Sequence, residues 1–119
     1  MPSTPVAVAE TTLFQRTAAK ILSDDAIDEL IDFLARYPRA GDVIEATGGI
    51  RKIRWRLEGH GKRGGARVIY YFHDATMPLL LLLAYAKGSA TDITPDEKRR
   101  MTTIVREFVA ARRSKRSKR

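Results

Sequence analysis

Five consecutive leucines, Leu79 to Leu83, lead into Ala84-Tyr85-Ala86, and these eight residues carry no charge. The wider apolar run, Met77 to Ala86, is about half of what a membrane helix needs. Successive side chains of a strand point to opposite faces, so a strand over 79–86 is apolar on both and reads as the centre of a sheet. A central strand needs neighbours, and the preceding residues supply them. Ile50 to Leu57 alternates, with Ile53, Trp55 and Leu57 on one side and Lys52, Arg54 and Arg56 on the other. Arg67 to His73 gives a second strand through Val68, Ile69, Tyr70, Tyr71 and Phe72. His73 to Pro78 is short enough for a hairpin turn between it and the central strand.

The rest of the chain is helical or loop, with one further strand expected at Val6 to Ala9. Phe14, Ala18, Ile21 and Leu22 mark one helical face between Thr11 and Leu22. Ser23-Asp24-Asp25 starts a second helix, with Ser23 as its N-cap and acids in the first turn. Ile27, Leu30, Ile31 and Leu34 follow at i, i+3, i+4 and i+7, and Tyr37-Pro38 stops it. Glycines and Pro38 mark a loop over 38–49, and Gly59, Gly61, Gly64 and Gly65 mark another. Thr94-Pro95-Asp96-Glu97 reads as N-cap, N1 proline and capping box. Met101, Ile104, Val105, Phe108 and Val109 then form an apolar stripe, predicting a helix to about Arg112. The order is β-α-α-β-β-β-α: one α+β domain over 1–112, with helices packed on one face of a small antiparallel-rich sheet. The tail 113–119 is expected to be disordered.

The net charge of +8 is unevenly placed. Residues 50–67 hold seven basic groups and one acid, Glu58, and residues 112–119 hold six basic groups and no acid. The remainder has nine basic and thirteen acidic residues. There is no cysteine, which excludes disulfides and cysteine zinc sites and suits a reducing compartment. No signal peptide is visible in the first ten residues, so a cytoplasmic protein away from the membrane is expected. The two histidines, His60 and His73, are far apart in sequence, and neither a metal nor another cofactor is expected.

The strand 50–57 is the most informative element. Lys52, Arg54 and Arg56 recur every second residue, about 6.7 Å apart along one face. Such a row repels itself unless an anion occupies it, and a polyphosphate chain is the natural occupant. The same pattern also suits a solvated outer face that serves solubility. Lys62 and Arg63 stand in the adjoining glycine-rich loop. Arg67 opens the neighbouring strand with Ile69, Tyr71 and His73 at its parity. Aromatic rings among cations suit RNA, whose unstacked bases lie on such rings. Lys87 follows the central strand and reaches toward the same surface from a third direction. A guanidinium binds two phosphate oxygens at once, which makes Arg67 the first choice for stabilising charge at phosphorus. His60 and His73 are the conventional acid–base candidates.

The run Gly48-Gly49-Ile50-Arg51-Lys52-Ile53-Arg54-Trp55, then Gly59 to Gly65, Arg67 to Phe72, and Leu83-Ala84-Tyr85-Ala86-Lys87 resembles the RelE/ParE superfamily of bacterial toxins, nearest its HigB-like and RelE-like branch. Gly41-Asp42-Val43-Ile44 and Ile93-Thr94-Pro95-Asp96-Glu97 extend the resemblance over about residues 6–110. It implies a RelE-like, microbial-ribonuclease-like fold. It also implies a type II toxin: an mRNA interferase that cuts mRNA in the ribosomal A site without metal, using the ribose 2′-hydroxyl. The implied partners are the 70S ribosome, mRNA and a cognate antitoxin, with DNA touched only through the antitoxin. The family's basic positions fall on Lys52, Arg54, Arg67 and Lys87, although a Lys-Arg pair in RelE-type members is Lys87-Gly88 here. The family's C-terminal tyrosine has no counterpart after Tyr85. Other expectations are a ParE-like gyrase inhibitor with the same fold, or a non-catalytic RNA- or ribosome-binding module.

Overall fold

A computed structural model of the chain describes residues 4–56, 65–86 and 94–117. The elements in chain order are β1 (Val8–Glu10), α1 (Thr12–Ala19), α2 (Asp24–Arg36), β2 (Asp42–Val43), β3 (Ile50–Trp55), β4 (Ala66–Tyr71), β5 (Leu79–Ala86) and α3 (Pro95–Ser117). The fold is α+β, with five strands in the order β1-β5-β4-β3-β2. β5 pairs antiparallel with β4 and parallel with β1, which makes the sheet mixed. The two-residue β2 inside the expected 38–49 loop is the one strand the sequence did not announce.

Both helical boundaries of the N-terminal hairpin follow from caps. The Thr11 hydroxyl accepts from the Phe14 N–H at 3.0 Å and donates to the Leu81 carbonyl at 2.9 Å, so one side chain starts α1 and ties it to β5. The Ser23 hydroxyl accepts from the Ala26 N–H at 3.1 Å and starts α2. At the start of α3, Thr94 Oγ1 accepts from the Glu97 N–H and Glu97 Oε1 accepts from the Thr94 N–H, the reciprocal pair that defines a capping box.

β5 explains how the layers are arranged. Leu79, Leu81 and Ala84 pack with Phe14, Ala18, Leu30 and Leu34 of the α1–α2 hairpin, joined by Val68 and Tyr70 of β4. Leu80, Leu82 and Leu83 pack with Ile50, Ile69, Tyr71, Met101 and Val105, joined by Ile104, Phe108 and Val109 of α3. The helices therefore cover both faces of the sheet. This corrects the expected one-faced packing, and the reason is the same double-sided apolar strand: a strand of leucines cannot leave either face to water.

A register shift between Ile69 and Tyr70 of β4 places one extra residue in β5, since Ile69 pairs with Leu83 and Tyr70 with Leu81. Leu82 and Leu83 thus fall on the same face, and the alternation beyond them is inverted. Next to the bulge, the Ala84 N–H donates to Thr17 Oγ1 of α1 at 3.0 Å.

The β2–β3 connection is a tight loop. Gly48 and Gly49 take φ of 75° and 118°, a region open chiefly to glycine, and the Ile44 N–H donates to the Ile50 carbonyl at 2.8 Å. At its other end, α3 continues through Ser117 rather than stopping near Arg112. The tail expected to be disordered is thus helical for five residues more. Lys and Arg are good helix formers, and positive charge is favoured at a helix C-terminus. Among the described residues no helix is long and apolar enough to cross a membrane.

Candidate nucleic-acid interface

Strand parity and register decide which side chains meet. Ile50 and Ile53 pack in different cores, so Ile50, Lys52 and Arg54 share the α3 face of β3, and Arg51, Ile53 and Trp55 share the hairpin face. On β4 the α3 face carries Arg67, Ile69 and Tyr71, because Ala66, Val68 and Tyr70 belong to the other core. The β3–β4 register sets Arg54 directly opposite Arg67, and Lys52 opposite Ile69. The β4–β5 register sets Arg67 opposite Tyr85. Lys52, Arg54 and Arg67 therefore share one face, as the spacing anticipates. Arg54, Arg67 and Tyr85 form a row across three strands.

Tyr85 was not among the candidates read from the sequence. Counting alternately from Leu79 puts Tyr85 on the hairpin face. The extra residue at the bulge turns it to the cationic face instead. Only a signal for the bulge itself would have revealed this.

Two like charges directly opposite each other on neighbouring strands destabilise a sheet. The ion pairs among the described residues are Asp32–Arg36, His73–Asp74 and Asp96–Arg99, and none neutralises Lys52, Arg54 or Arg67. Asp42 of β2 stands opposite Lys52 in register and is the nearest acid along the sheet, though it forms no ion pair there. Arg54 is exposed, while Arg67 is half-buried. Arg67 Nη1 is buried and has no hydrogen-bond partner. A buried guanidinium nitrogen left unpaired costs about 1–3 kcal/mol or more, which an anion arriving in the row would recover. Arg51 Nε is also buried without a partner, but Arg51 lies on the other face and its Nη1 donates to the Gly41 carbonyl at 2.7 Å. Arg51 is thus a clamp on the β2 entry rather than part of the row.

The remaining candidates divide. Arg56 follows the last residue of β3, where pairing and alternation end. It lines a cavity of about 290 Å³ with Ala26, Glu29 and Trp55, on the side of the sheet that carries α2. It does not extend the Lys52–Arg54 row. Tyr71 shares the cationic face but is only 7% exposed, packed in the α3 core beside Ile50, Met101 and Val105. It cannot serve as an open stacking platform, and burial pushes its phenol above the ordinary range. His73 lies beyond β4, with its side chain exposed and Nε2 3.4 Å from Asp74 Oδ2. Arg67 and Tyr71 are two pleats apart, about 13 Å, so His73 is no partner for the Arg54–Arg67 row. Lys62, Arg63, Lys87 and the loop histidine His60 lie outside the described residues.

Chemically, the row offers two guanidiniums, an ammonium one pleat away and a phenol ring at the end. That set suits a phosphodiester, with the Tyr85 ring half-buried against the α3-side core beside it. Among the described residues no three His, Asp or Glu side chains converge as a metal site would require. No protein-family model matches the chain.

Proposed function

We propose that this chain is a RelE-type toxin of a type II toxin–antitoxin system, acting in the cytoplasm as a ribosome-dependent mRNA interferase. The observation that carries the reading is the opposed Arg54–Arg67 pair without an ion pair among the described residues, with Lys52 on the same face and a buried, unpaired Arg67 nitrogen. In the proposed reaction the ribose 2′-oxygen attacks the adjacent phosphorus. A P–O2′ bond forms, the P–O5′ bond breaks, the 2′-proton leaves to a base, and the departing 5′-oxygen takes up a proton. The products are a 2′,3′-cyclic phosphate and a 5′-hydroxyl. Negative charge grows on the non-bridging oxygens, where Arg67 and Arg54 stabilise it from positions fixed by the sheet. Lys52 binds the neighbouring phosphate, and Tyr85 supports a base unstacked from the strand. Lys87 is assigned with them by the resemblance alone. A cognate antitoxin would silence the protein by covering this face.

A second reading is favoured by one observation. The exposed histidine, His73, lies beyond Tyr71 and more than two pleats from the row, which leaves the row without a described histidine to move protons. A non-catalytic ribosome-binding module needs none. Addition of the protein to translating ribosomes, with mapping of mRNA ends, separates the two. The interferase reading expects cuts in the A site that Arg67→Ala abolishes. Intact mRNA on ribosomes that retain the protein would replace it with the binding-module reading. Gyrase inhibition without RNA cleavage would replace it with a ParE-like toxin.

A further inference from the structure

The opposed arginines can stabilise charge at phosphorus, but the attacking 2′-oxygen must also lose a proton, and no described histidine reaches the row. The strands carry two acids, Glu10 and Asp42. Glu10 stands opposite Leu81, which packs in the hairpin core, so it lies on the other face. Asp42 stands opposite Lys52, on the cationic face. Ile44, two residues on and of the same parity, packs in the α3 core, which agrees with that orientation. Asp42 is thus the one carboxylate that the strands set on this face. At the start of α3, Asp96 is paired with Arg99 and Glu97 is held in the capping box.

Asp42 is exposed. Its Cβ lies about 5 Å from that of Lys52, directly across, and about 7–8 Å from that of Arg54, on the diagonal. A phosphate held at the Arg54 end of the row can therefore leave the adjoining ribose over Asp42. The backbone on either side of the strand is tied down. The Gly41 N–H donates to the Tyr70 hydroxyl at 2.8 Å, and the Gly41 carbonyl accepts from Arg51 Nη1 at 2.7 Å. Past Val43, the Ile44 N–H donates to the Ile50 carbonyl at 2.8 Å. A two-residue edge strand gains little from its own pairing, yet a tyrosine, an arginine and a backbone bond fix this one. The carboxylate is therefore positioned before any ligand arrives. Phosphate binding gives no reason for it, since an acid on that face repels a polyanion.

We propose that Asp42 is the general base of the cleavage reaction. The assignment rests on the interferase reading. A carboxylate oxygen of Asp42 takes the proton of the ribose 2′-hydroxyl, and the electron pair freed on that oxygen forms the P–O2′ bond. The P–O5′ pair leaves with the 5′-oxygen, which takes a proton from solvent water, and Asp42 returns its own proton to solvent. Lys52, Arg54 and Arg67 are the charged groups facing Asp42 across the sheet.

Single-turnover cleavage of ribosome-bound mRNA by the full chain tests the assignment. Asp42→Asn should lower the rate about a hundredfold or more, as the loss of a general base does. Its affinity for single-stranded RNA should rise, because one acid leaves the phosphate path. Its residual rate should climb about tenfold from pH 7 to pH 8, as hydroxide becomes the base, and the unaltered chain should climb less. Asp42→Glu should recover part of the rate. Cleavage by Asp42→Asn within a few-fold of the unaltered chain overturns the assignment; if Arg67→Ala still abolishes it, the interferase reading stands. A loss of cleavage matched by an equal loss of RNA affinity also overturns it, since a misplaced β2 accounts for both. Intact mRNA with the unaltered chain removes the interferase reading and the base together.

Discussion

Arg54→Gln should make the protein more stable and a poorer RNA ligand at once. Arg54 faces Arg67 directly across β3 and β4, and neither is ion-paired among the described residues. Two unit charges about 6 Å apart repel by about 0.7 kcal/mol in bulk water and about 2.8 kcal/mol at an effective dielectric near 20. Arg54 is exposed and Arg67 half-buried, so the lower end of that range applies. Directly opposed pairs on strands are worth about 0.2–1 kcal/mol, which agrees. Glutamine keeps much of the aliphatic stem, so the packing contribution changes little. The expected gain is about 0.5–1 kcal/mol, or about 2–5 °C in melting temperature for a domain of this size. Arg54→Glu should gain more, because it converts the repulsion into an ion pair.

Salt separates this cause from others. At 1 M ionic strength the screening length is about 3 Å, so the gain from either substitution should largely vanish. Thermal or urea unfolding at low and high salt measures it. On the same samples, affinity for single-stranded RNA should fall roughly fivefold to tenfold in Arg54→Gln. The slope of log affinity against log salt should flatten by about 0.7 for the one lost contact. A variant that is less stable at low salt, or whose gain persists at 1 M, would refute the repulsion. Unchanged RNA affinity would refute the row as the phosphate contact.

Three shorter predictions follow from other parts of the structure. Tyr85→Phe should retain RNA affinity within about twofold, and Tyr85→Leu should lose about 1–3 kcal/mol of it if the ring stacks on a base; quenching titrations with a labelled oligoribonucleotide distinguish them. Gly41→Ala should lower the urea midpoint, because an added Cβ would stand 2.9 Å from the Lys52 carbonyl oxygen and from Cε1 and OH of Tyr70. The Tyr70 hydroxyl is held between the Gly41 N–H at 2.8 Å and the Pro38 carbonyl at 2.9 Å and cannot retreat freely, so the cost should be about 1–3 kcal/mol. Burial raises the phenol pKa of both Tyr70 and Tyr71. Their unfolded forms ionise first, near pH 10, so their contribution to stability is full below that and declines as pH rises through the folded values. Urea midpoints measured from about pH 9 upward should fall, and the fall should shrink in Tyr71→Phe.

The elements that were legible in the sequence are those where one local rule decides. Thr94, Pro95 and Glu97 form the capping box their spacing announces, and Tyr37-Pro38 ends α2 where the proline rule puts it. Lys52 and Arg54 share a face because β3 is a regular strand, and Arg67 joins them because β3 and β4 pair in register. The features that escaped depend on two segments at once. β2 exists because Asp42 and Val43 find Lys52 and Arg51 across a glycine turn, and two residues have no periodicity to read. Tyr71 has the parity of a surface residue, and only the docking of α3 on that end of the sheet buries it.

The leucine run shows why both kinds of feature meet in one strand. Its composition dictates two covered faces, which is a local statement and holds. A run of five leucines, however, carries no mark of which residue is the extra one, since any of them fits either core. The bulge at Leu82 is therefore invisible in the sequence, yet it sets the orientation of everything after it, Tyr85 included. Cover on both faces leaves α3 over Ile50, Ile69 and Tyr71. Arg54, Arg67 and Tyr85 form the row next along the same face. Where α3 lies on the sheet, aromatic and aliphatic groups are core, and their identity reports packing. In the Arg54–Arg67–Tyr85 row, the opposed arginines work against stability, so burial and packing do not account for their presence. Binding does, and the anion that relieves Arg54 and Arg67 would be the same one that gives Arg67 Nη1 its partner.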